Sequence, residues 1–466
     1  MTGALAASST LDLLERYDKP GPRYTSYPTA IEFHEGVGEA QYRRRLVLAN
    51  ADPSTPLSVY AHLPFCEHRC GFCGCNVIIT PHRDIAATYL DYLDKEIEML
   101  ANALPDRRTV AQMHWGGGTP TYFEADQLAR VFDSIHRRFD FTPGAELGIE
   151  IDPRVTSRAH LHRLRSLGFN RLSMGVQDFA PEVQRAVNRE QSFEMTRDLV
   201  LEARTLGFES VNIDLIYGLP FQTADGFRNT LERSLEIRPD RVAVYSFAFV
   251  PWMRAHMKSL PDEMPSPKVK LGLLSQAIDA FTGAGYRQIG MDHFALPGDE
   301  LAIAVERRDL HRNFMGYTVQ KTRDMVAVGV SGIGEVQGAF IQNTKKLSTY
   351  YAAISEGRFP VERGYELQPD DLLRREVIAG LMCNFRVDIP RIESLFSIGF
   401  KDHFAAEIRE LTAETSVSTD GLVALSDTEL TVTPLGQLFV RNVCMVFDRY
   451  LRARLSGPAP VFSRTV

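Results

Sequence analysis

Three cysteines stand at 66, 70 and 73 in the segment HLPFCEHRCGFCGC, residues 62–75, and a fourth follows at 75. A C-x-x-x-C-x-x-C run puts three soft thiolate donors on one short loop. Each can bind one iron of a [4Fe–4S] cube, which leaves the fourth iron open to an outside chelate. The amino and carboxylate groups of S-adenosylmethionine form such a chelate. An electron passed from the cluster into the sulfonium breaks a carbon–sulfur bond and yields a 5′-deoxyadenosyl radical, able to take hydrogen from an unactivated carbon. A structural zinc site normally pairs two C-x-x-C hairpins to reach four ligands. A redox disulfide would need only Cys70 and Cys73. The spacing favours the cluster, with Cys66, Cys70 and Cys73 as its ligands. The single-residue step from Cys73 makes ligation by Cys75 awkward, so Cys75 is read as a catalytic group near the substrate. Cys383 and Cys444 fall in apolar helical runs and are read as core residues.

Such a loop needs a rigid origin, and the sequence supplies one. β-rich runs are expected at 57–63, 111–115, 146–151, 171–175, 210–216 and 241–247, with helix-length segments at 85–100, 125–139, 158–167, 193–206 and 224–235. Gly168 and Gly207 stand as C-caps after the third and fourth helices. Repeated strand–helix alternation predicts a parallel sheet, either open and doubly wound or closed toward a barrel. In both, chemistry gathers at the C-terminal ends of the strands. The cysteine loop follows the first run, and HWGGGTPTYF, residues 114–123, ends the second. Its glycines remove side chains where a ligand must approach the backbone. Glu150 and Asp152 end the third run, Gln177 and Asp178 follow the fourth, and Asp214 lies in the fifth. Arg189 offers a planar fork for a ligand carboxylate.

The remaining chain divides at composition changes. A Pro-containing stretch, LPDEMPSP at 260–267, reads as a linker before a helix at 269–284 and the polar run HRNFMGYT at 311–318. From about 368 the pattern is mostly helical, with β-like pieces at 421–425 and 429–432, and suggests a domain of winged-helix type. The expected division is an N-terminal arm (1–50), a barrel (51–260), an extension carrying substrate-site residues (261–365) and a C-terminal helical domain (366–466). The first residues read as a frayed start plus a short helix, with no basic opening of a signal peptide. The net charge of -7 argues against nucleic acid as a partner. No run reaches the ~18 apolar residues of a membrane span, and a cytoplasmic place is expected. Four cysteines packed into ten residues fit metal chemistry better than a disulfide framework.

With these residues in view, the sequence resembles the oxygen-independent coproporphyrinogen III oxidase (dehydrogenase) family of radical S-adenosylmethionine enzymes. The resemblance covers nearly the whole chain. It includes GPRYTSYP (21–28), the cysteine loop, HWGGGTPTY (114–122), EIDPR (150–154), RLSMGVQDF (171–179), VNRE (187–190), NIDLIYGLP (212–220), GMDHFA (290–295), HRNF (311–314) and CNFR (383–386). It implies an α/β fold: a partial, TIM-like barrel of six strand–helix units with an N-terminal arm and a mostly helical C-terminal domain. It implies two S-adenosylmethionine molecules side by side. The first would touch Tyr60, Gly117, Glu150 and Ile333; the second would touch Phe72, Gly118, Thr119, Gln177, Arg189, Asp214 and Ala248. The implied reaction turns two propionates of coproporphyrinogen III into vinyl groups, giving protoporphyrinogen IX. Arg23, Tyr24 and Arg312 are candidates to receive the substrate carboxylates. A low-potential electron donor is implied as a partner, and a monomeric state is expected.

Two positions depart from the family pattern. Phe247, Ala248 and Phe249 stand where the family commonly reads YAH, and Met315 stands where it has Gln after HRNF. Both are expected on the substrate side. Three other readings therefore stay open: a heme chaperone with the same barrel, a radical enzyme acting on another tetrapyrrole, and a structural zinc module. Cys75 and the GPRYTSYP arm favour the enzyme over the chaperone.

Overall fold

The structure is a computed structural model that describes residues 12–13, 15–454 and 462–465. The frayed start expected before residue 12 lies outside the described residues. The expected strands all form: β1 (Leu57–Leu63), β2 (Thr109–Gly117), β3 (Asp140–Ile151), β4 (Arg171–Gln177), β5 (Ser210–Tyr217) and β6 (Arg241–Ser246). They pair in parallel and in chain order. Beyond β6 the sheet continues through β7 (Arg287–Gly290) and β8 (His293–Ala295), which run antiparallel. A hairpin of β9 (His311–Asn313) and β10 (Gly316–Thr318) stands apart.

The other edge holds what the sequence reading lacked. β11 (Asp324–Val328) pairs in parallel with β1, and β12 (Ile333–Val336), β13 (Ala339–Asn343) and β14 (Val361–Glu366) follow antiparallel. The whole is a 12-stranded sheet in the order β14-β13-β12-β11-β1-β2-β3-β4-β5-β6-β8-β7. The six expected units thus gain a seventh parallel strand from a segment far along the chain, because β1 is buried and needs a partner on each side.

Helices cross between the strands: α1 (Glu39–Asn50) before β1, then α2 (Arg83–Ala103), α3 (Ala125–His136), α4 (Arg158–Ser166), α5 (Phe193–Thr205) and α6 (Ala224–Ile237), with α7 (Pro267–Gly283) leading to β7. Their starts are capped by side chains: Ser157, Ser192 and Thr223 each accept a backbone N–H of the first turn. Gly168 and Gly207 end α4 and α5 at positive φ, as the sequence suggests. The helices and the outer face of the sheet enclose one apolar core, which includes Leu63, Leu93, Trp115, Phe169 and Leu231.

Alternate residues of β2 to β6 face the other way. Gln112, His114, Gly148, Glu150, Ser173, Asn212, Asp214 and Tyr245 line a single cavity of about 360 Å³ together with His293 of β8. A flat sheet would spread β2 to β8 over about 24 Å. Residues so far apart in strand order share one small cavity only because the sheet curls into a partial barrel. The β9–β10 hairpin enters its N-terminal end, where Gln112 Nε2 donates to Thr318 Oγ1 at 3.0 Å.

The N-terminal arm does not hang free. Tyr17, Tyr24 and Tyr27 join a second apolar core with the C-terminal helices, including α8 (Pro369–Asn384). A three-stranded antiparallel sheet covers that core. Two of its strands lie where β-like pieces are expected; the third, Arg386–Asp388, is too short to show a period.

Two buried groups tie the sheet together. Arg107 and Asp324 meet at 2.5 Å with both side chains fully buried. Arg107 also donates to Thr55 O and Ala49 O, and Asp324 accepts from Gln337, so the pair pins the starts of β1, β2 and β11. Glu96 on α2 accepts from Gly329 N, Asn343 Nδ2 and Tyr350 Oη, which fixes the turn between β11 and β12. Burial raises its carboxyl to about 7 against those bonds. Arg107→Met strands the Asp324 charge in the interior, so a loss of roughly 3–5 kcal/mol is expected in denaturant unfolding.

Candidate functional site

β1 ends at Leu63, and the cysteine loop starts from that fixed point. Phe65–Cys66 pairs in parallel with Ile78–Ile79, which closes the loop at its base. The backbone leaving β2 stitches it further: Gly118 N donates to Leu63 O, and Thr119 N to Phe65 O, both at 2.9 Å. A Cβ on Gly118 would lie 2.5 Å from Pro64, so glycine is required for that approach. Gly117 has φ +120, and a Cβ there would strike the His62 ring. The Gly run was expected to clear space for a ligand; these two positions show that it first lets protein backbone and ring close on one another.

Cys70 is buried, Cys66 and Cys73 are half-buried, and Cys75 is exposed. Burial pushes the Cys66 thiol up to about 11, partly offset by its contact with Thr119 Oγ1 at 3.3 Å. Cys73 moves the other way, because a hydrogen bond with Cys75 and the nearby Arg69 and Arg254 charges outweigh its burial. Cys70 lies against two arginines. Arg154 Nη2 is 3.6 Å and Arg189 Nη1 3.8 Å from its sulfur. Both guanidinium groups bind Asp152 Oδ2, at 2.8 and 2.6 Å. Burial raises the Asp152 carboxyl, but the two arginines win and hold it below the usual range.

The donor set fits an iron–sulfur cluster. It is all sulfur, it lies on one loop with a stitched base, and positive charge faces the thiolates. Among the described residues no three His, Cys, Asp or Glu side chains converge on the position of one metal ion. A cube needs no such convergence, since each thiolate takes a different iron. A cavity of about 210 Å³ lined by Cys66, Thr119, Asp152 and Arg154 adjoins the thiols.

Below the loop lies the lumen. Tyr60 stacks on His114 with centroids 6.4 Å apart, and its hydroxyl meets His62 Nδ1 at 3.1 Å. His114 Nε2 is 3.6 Å from Glu150 Oε1, and Gly117 N donates to Glu150 Oε2 at 3.3 Å. Those partners outweigh desolvation and hold the Glu150 carboxyl below its ordinary value. Burial, with the Glu150 and Asp292 charges, pushes Asp214 up to about 7, although Asn212 Nδ2 donates to it at 2.8 Å. Gln177, at φ +70, is buried, and its Oε1 has no hydrogen-bond partner among the described residues. Such an orphaned acceptor suits a ligand hydroxyl or amine. Ile333 opens β12 beside β11, whose Ala327 pairs with Tyr60. Phe72 packs near Phe247 and Leu260, and Ala248 directly follows Phe247 beyond β6.

The sequence candidates thus fall into two groups. Glu150 and Asp214 line the lumen, with Tyr60 stacked on His114 and Gly117 bonded to Glu150, while Gly118, Thr119 and Arg189 contact the cysteine loop. Arg189 lies on Asp152 and the Cys70 sulfur, contacts the sequence could not show. Two expectations need correction. Tyr24 is a core residue whose hydroxyl proton is already donated to Asp448 at 3.0 Å. Met315 lines the lumen, but Phe249 is 43% exposed and does not line it.

Sequence reasoning missed Asp292, His293 and Tyr245. Asp292 binds Arg23 at 3.3 Å and His293 Nδ1 at 2.8 Å, and the neighbouring cations bring its carboxyl to about 2 despite burial. GMDHFA was the available signal, yet only the antiparallel turn of β7 and β8 brings it under β6.

The raised Asp214 carboxyl gives a pH prediction. Its folded pKa, about 7, exceeds that of an ordinary aspartate, so the folded state holds this proton more tightly. The stability it contributes is complete below about pH 4 and is lost as pH rises through about 7. Glu96 acts with the same sign. Urea midpoints between those limits should therefore fall less steeply with pH in Asp214→Asn than in the parent protein.

Comparison with known proteins agrees with this geometry. Residues 60–233 match the Radical SAM superfamily, and residues 367–439 match the HemN C-terminal domain. The oxygen-independent coproporphyrinogen III oxidase of Escherichia coli K12 is 46% identical over 445 residues, covering 95% of this chain and 96% of that one. The enzyme of the same name from Helicobacter pylori J99 is 44% identical over 454 residues, covering 97% and 98%. A solved structure, described as coproporphyrinogen III oxidase (HemN) from Escherichia coli and as a radical SAM enzyme, superposes with a TM-score of 0.89 at 45% identity and covers 94% of this chain and 98% of that one. The chain belongs to the oxygen-independent coproporphyrinogen III oxidase family of radical SAM enzymes.

Proposed function

We infer that this protein oxidatively decarboxylates two propionate side chains of coproporphyrinogen III to vinyl groups without oxygen, giving protoporphyrinogen IX. One observation carries the reading: in a chain of this family, a three-thiol loop leaves the end of β1 next to Gly117 and its partner Glu150, and a polar lumen that Glu150 lines runs below it through the same parallel strands. A [4Fe–4S] cluster with S-adenosylmethionine supplies the one-electron chemistry that generates a 5′-deoxyadenosyl radical. Cys66, Cys70 and Cys73 hold the cluster.

We assign one S-adenosylmethionine to Tyr60, Gly117, Glu150 and Ile333, and a second to Phe72, Gly118, Thr119, Gln177, Arg189, Asp214 and Ala248. Glu150, kept ionised by His114 and Gly117 N, accepts hydrogen bonds from a cationic or hydroxylated ligand. Gln177 offers its unpaired Oε1. Cys75, exposed at the loop's end and within electrostatic reach of Tyr60, holds a thiol proton beside the substrate. The protein works in the cytoplasm as a monomer and takes its electrons from a low-potential donor; no described helix is long and apolar enough to cross a membrane.

Two arginines near the lumen differ in what they have left to offer. Arg23 is already held by Asp292 and Ser246 O. Arg312 lines the lumen, lies 4.7 Å over the Tyr317 ring, and keeps Nε and Nη1 buried without a hydrogen-bond partner among the described residues. A buried guanidinium in that state is stabilised by an incoming carboxylate. Arg312 is thus the better receiver for a substrate propionate.

The first test is anaerobic turnover with reconstituted cluster, S-adenosylmethionine, reductant and coproporphyrinogen III. Protoporphyrin is expected with about two 5′-deoxyadenosines per product, as two radical steps require. 5′-Deoxyadenosine without protoporphyrin would move the substrate to another tetrapyrrole, and tight heme binding without turnover would favour a chaperone. Arg312→Ala is expected to raise the substrate KM about 10- to 100-fold, the worth of one charged hydrogen bond, with uncoupled S-adenosylmethionine cleavage retained.

A further inference from the structure

The arrangement around Cys70 goes beyond holding a cluster in place. Cys70 is 8% exposed, Arg189 7% and Asp152 5%, so their contacts form in a nearly dry pocket. Asp152 directly follows β3, a strand paired on both sides, so its backbone leaves from a fixed point. It takes Nε and Nη2 of Arg154 and Nη1 of Arg189 at once. Arg189 is fixed a second time by Gly175 O at 2.7 Å and a third by Gln191 Oε1 at 3.2 Å. Arg154 reaches Asn188 O at 3.3 Å, and Asn188 Nδ2 donates back to Arg69 O of the cysteine loop at 2.9 Å. Gly71 N donates to Val187 O at 2.7 Å. The segment 187–189 and the loop are therefore one rigid unit, with two guanidinium N–H groups aimed at one sulfur.

We propose that Arg154 and Arg189 are hydrogen-bond donors to the Cys70 sulfur that raise the reduction potential of the cluster, with Asp152 as the shared anchor that aims both. The proposal rests on the cluster assignment made above. Its physics is that one-electron reduction adds a negative charge spread over iron and sulfur. N–H donors and a net positive charge beside a ligand sulfur stabilise that reduced state more than the oxidised one. Low local polarisability strengthens the effect. Two guanidinium charges against one carboxylate leave such a surplus next to Cys70. Arg154 thereby becomes a positioning residue: it touches neither reacting carbon nor open iron, and it acts through a ligand sulfur.

The test uses protein labelled with ¹⁵N-arginine, purified anaerobically with its cluster and reduced without S-adenosylmethionine. Pulsed electron paramagnetic resonance of the reduced cluster is expected to show coupling to arginine nitrogen. In Arg154→Gln that coupling should weaken, and the midpoint potential should shift to a more negative value. Loss of packing alone would not produce the nitrogen signal. No arginine coupling in the parent protein overturns the proposal, as does a potential in Arg154→Gln equal to the parent's. Should Arg154→Gln fail to fold, the labelled parent still decides. Iron and sulfide analysis of the same sample separates this outcome from the other failure: a protein without a four-iron cluster would overturn the cluster assignment itself.

Discussion

A strand bonded along both edges cannot slip without breaking two ladders together, and β1 is such a strand, held by β2 on one side and β11 on the other. Its end is where the cysteine loop begins. The Arg107–Asp324 pair pins one end of this three-strand unit, and Tyr89, Glu96 and the turn after β11 pin the other. A loop that carries three thiols must present them at fixed separations to match a rigid cube. A starting point that cannot shift achieves this better than any contact within the loop, where half-buried and exposed residues predominate.

The same parallel pairing explains why polar groups of unlike character lie so close. Parallel strands deliver all their C-terminal ends to one edge. Glu150, Asp152, Gln177 and Asp214 come from three neighbouring strands and their exits, yet their environments differ. Glu150 is held ionised by His114 and a backbone N–H, whereas Asp214 is pushed toward neutrality by burial and by Glu150 itself. Curling the sheet sets these unlike carboxyls around one cavity. A small change in strand register would reverse which residues face it.

The C-terminal unit and the arm bear on the site from the opposite end. The arm delivers Arg23 to the lumen while its tyrosines are consumed by the second core. The hairpin brings Arg312 and Met315 in from below. Arg23 and Arg312 thus arrive on segments outside the six-unit barrel and join Arg171 and Arg241 of its own strands around the lumen, while the thiol loop leaves the end of β1.

Much of this was legible in the residues alone. Three cysteines at fixed spacing after an apolar run define a thiolate loop, because iron–sulfur ligation depends on donor type and short-range spacing. Alternating strand and helix periods define a parallel sheet, because burial imposes period 2 on one and 3.6 on the other. The carboxylates at strand ends were visible for the same reason. The partners of each side chain were not. Arg189 against Asp152 and Cys70, Tyr24 turned to Asp448, Arg23 neutralised by Asp292 and Phe249 turned to solvent all depend on which distant segments the folded chain brings together. Local pattern carries no record of that choice. Nor could it reveal that β11, more than 250 residues after β1, would become the neighbour of β1, because pairing between distant strands is decided by whichever edge remains open when the barrel has formed.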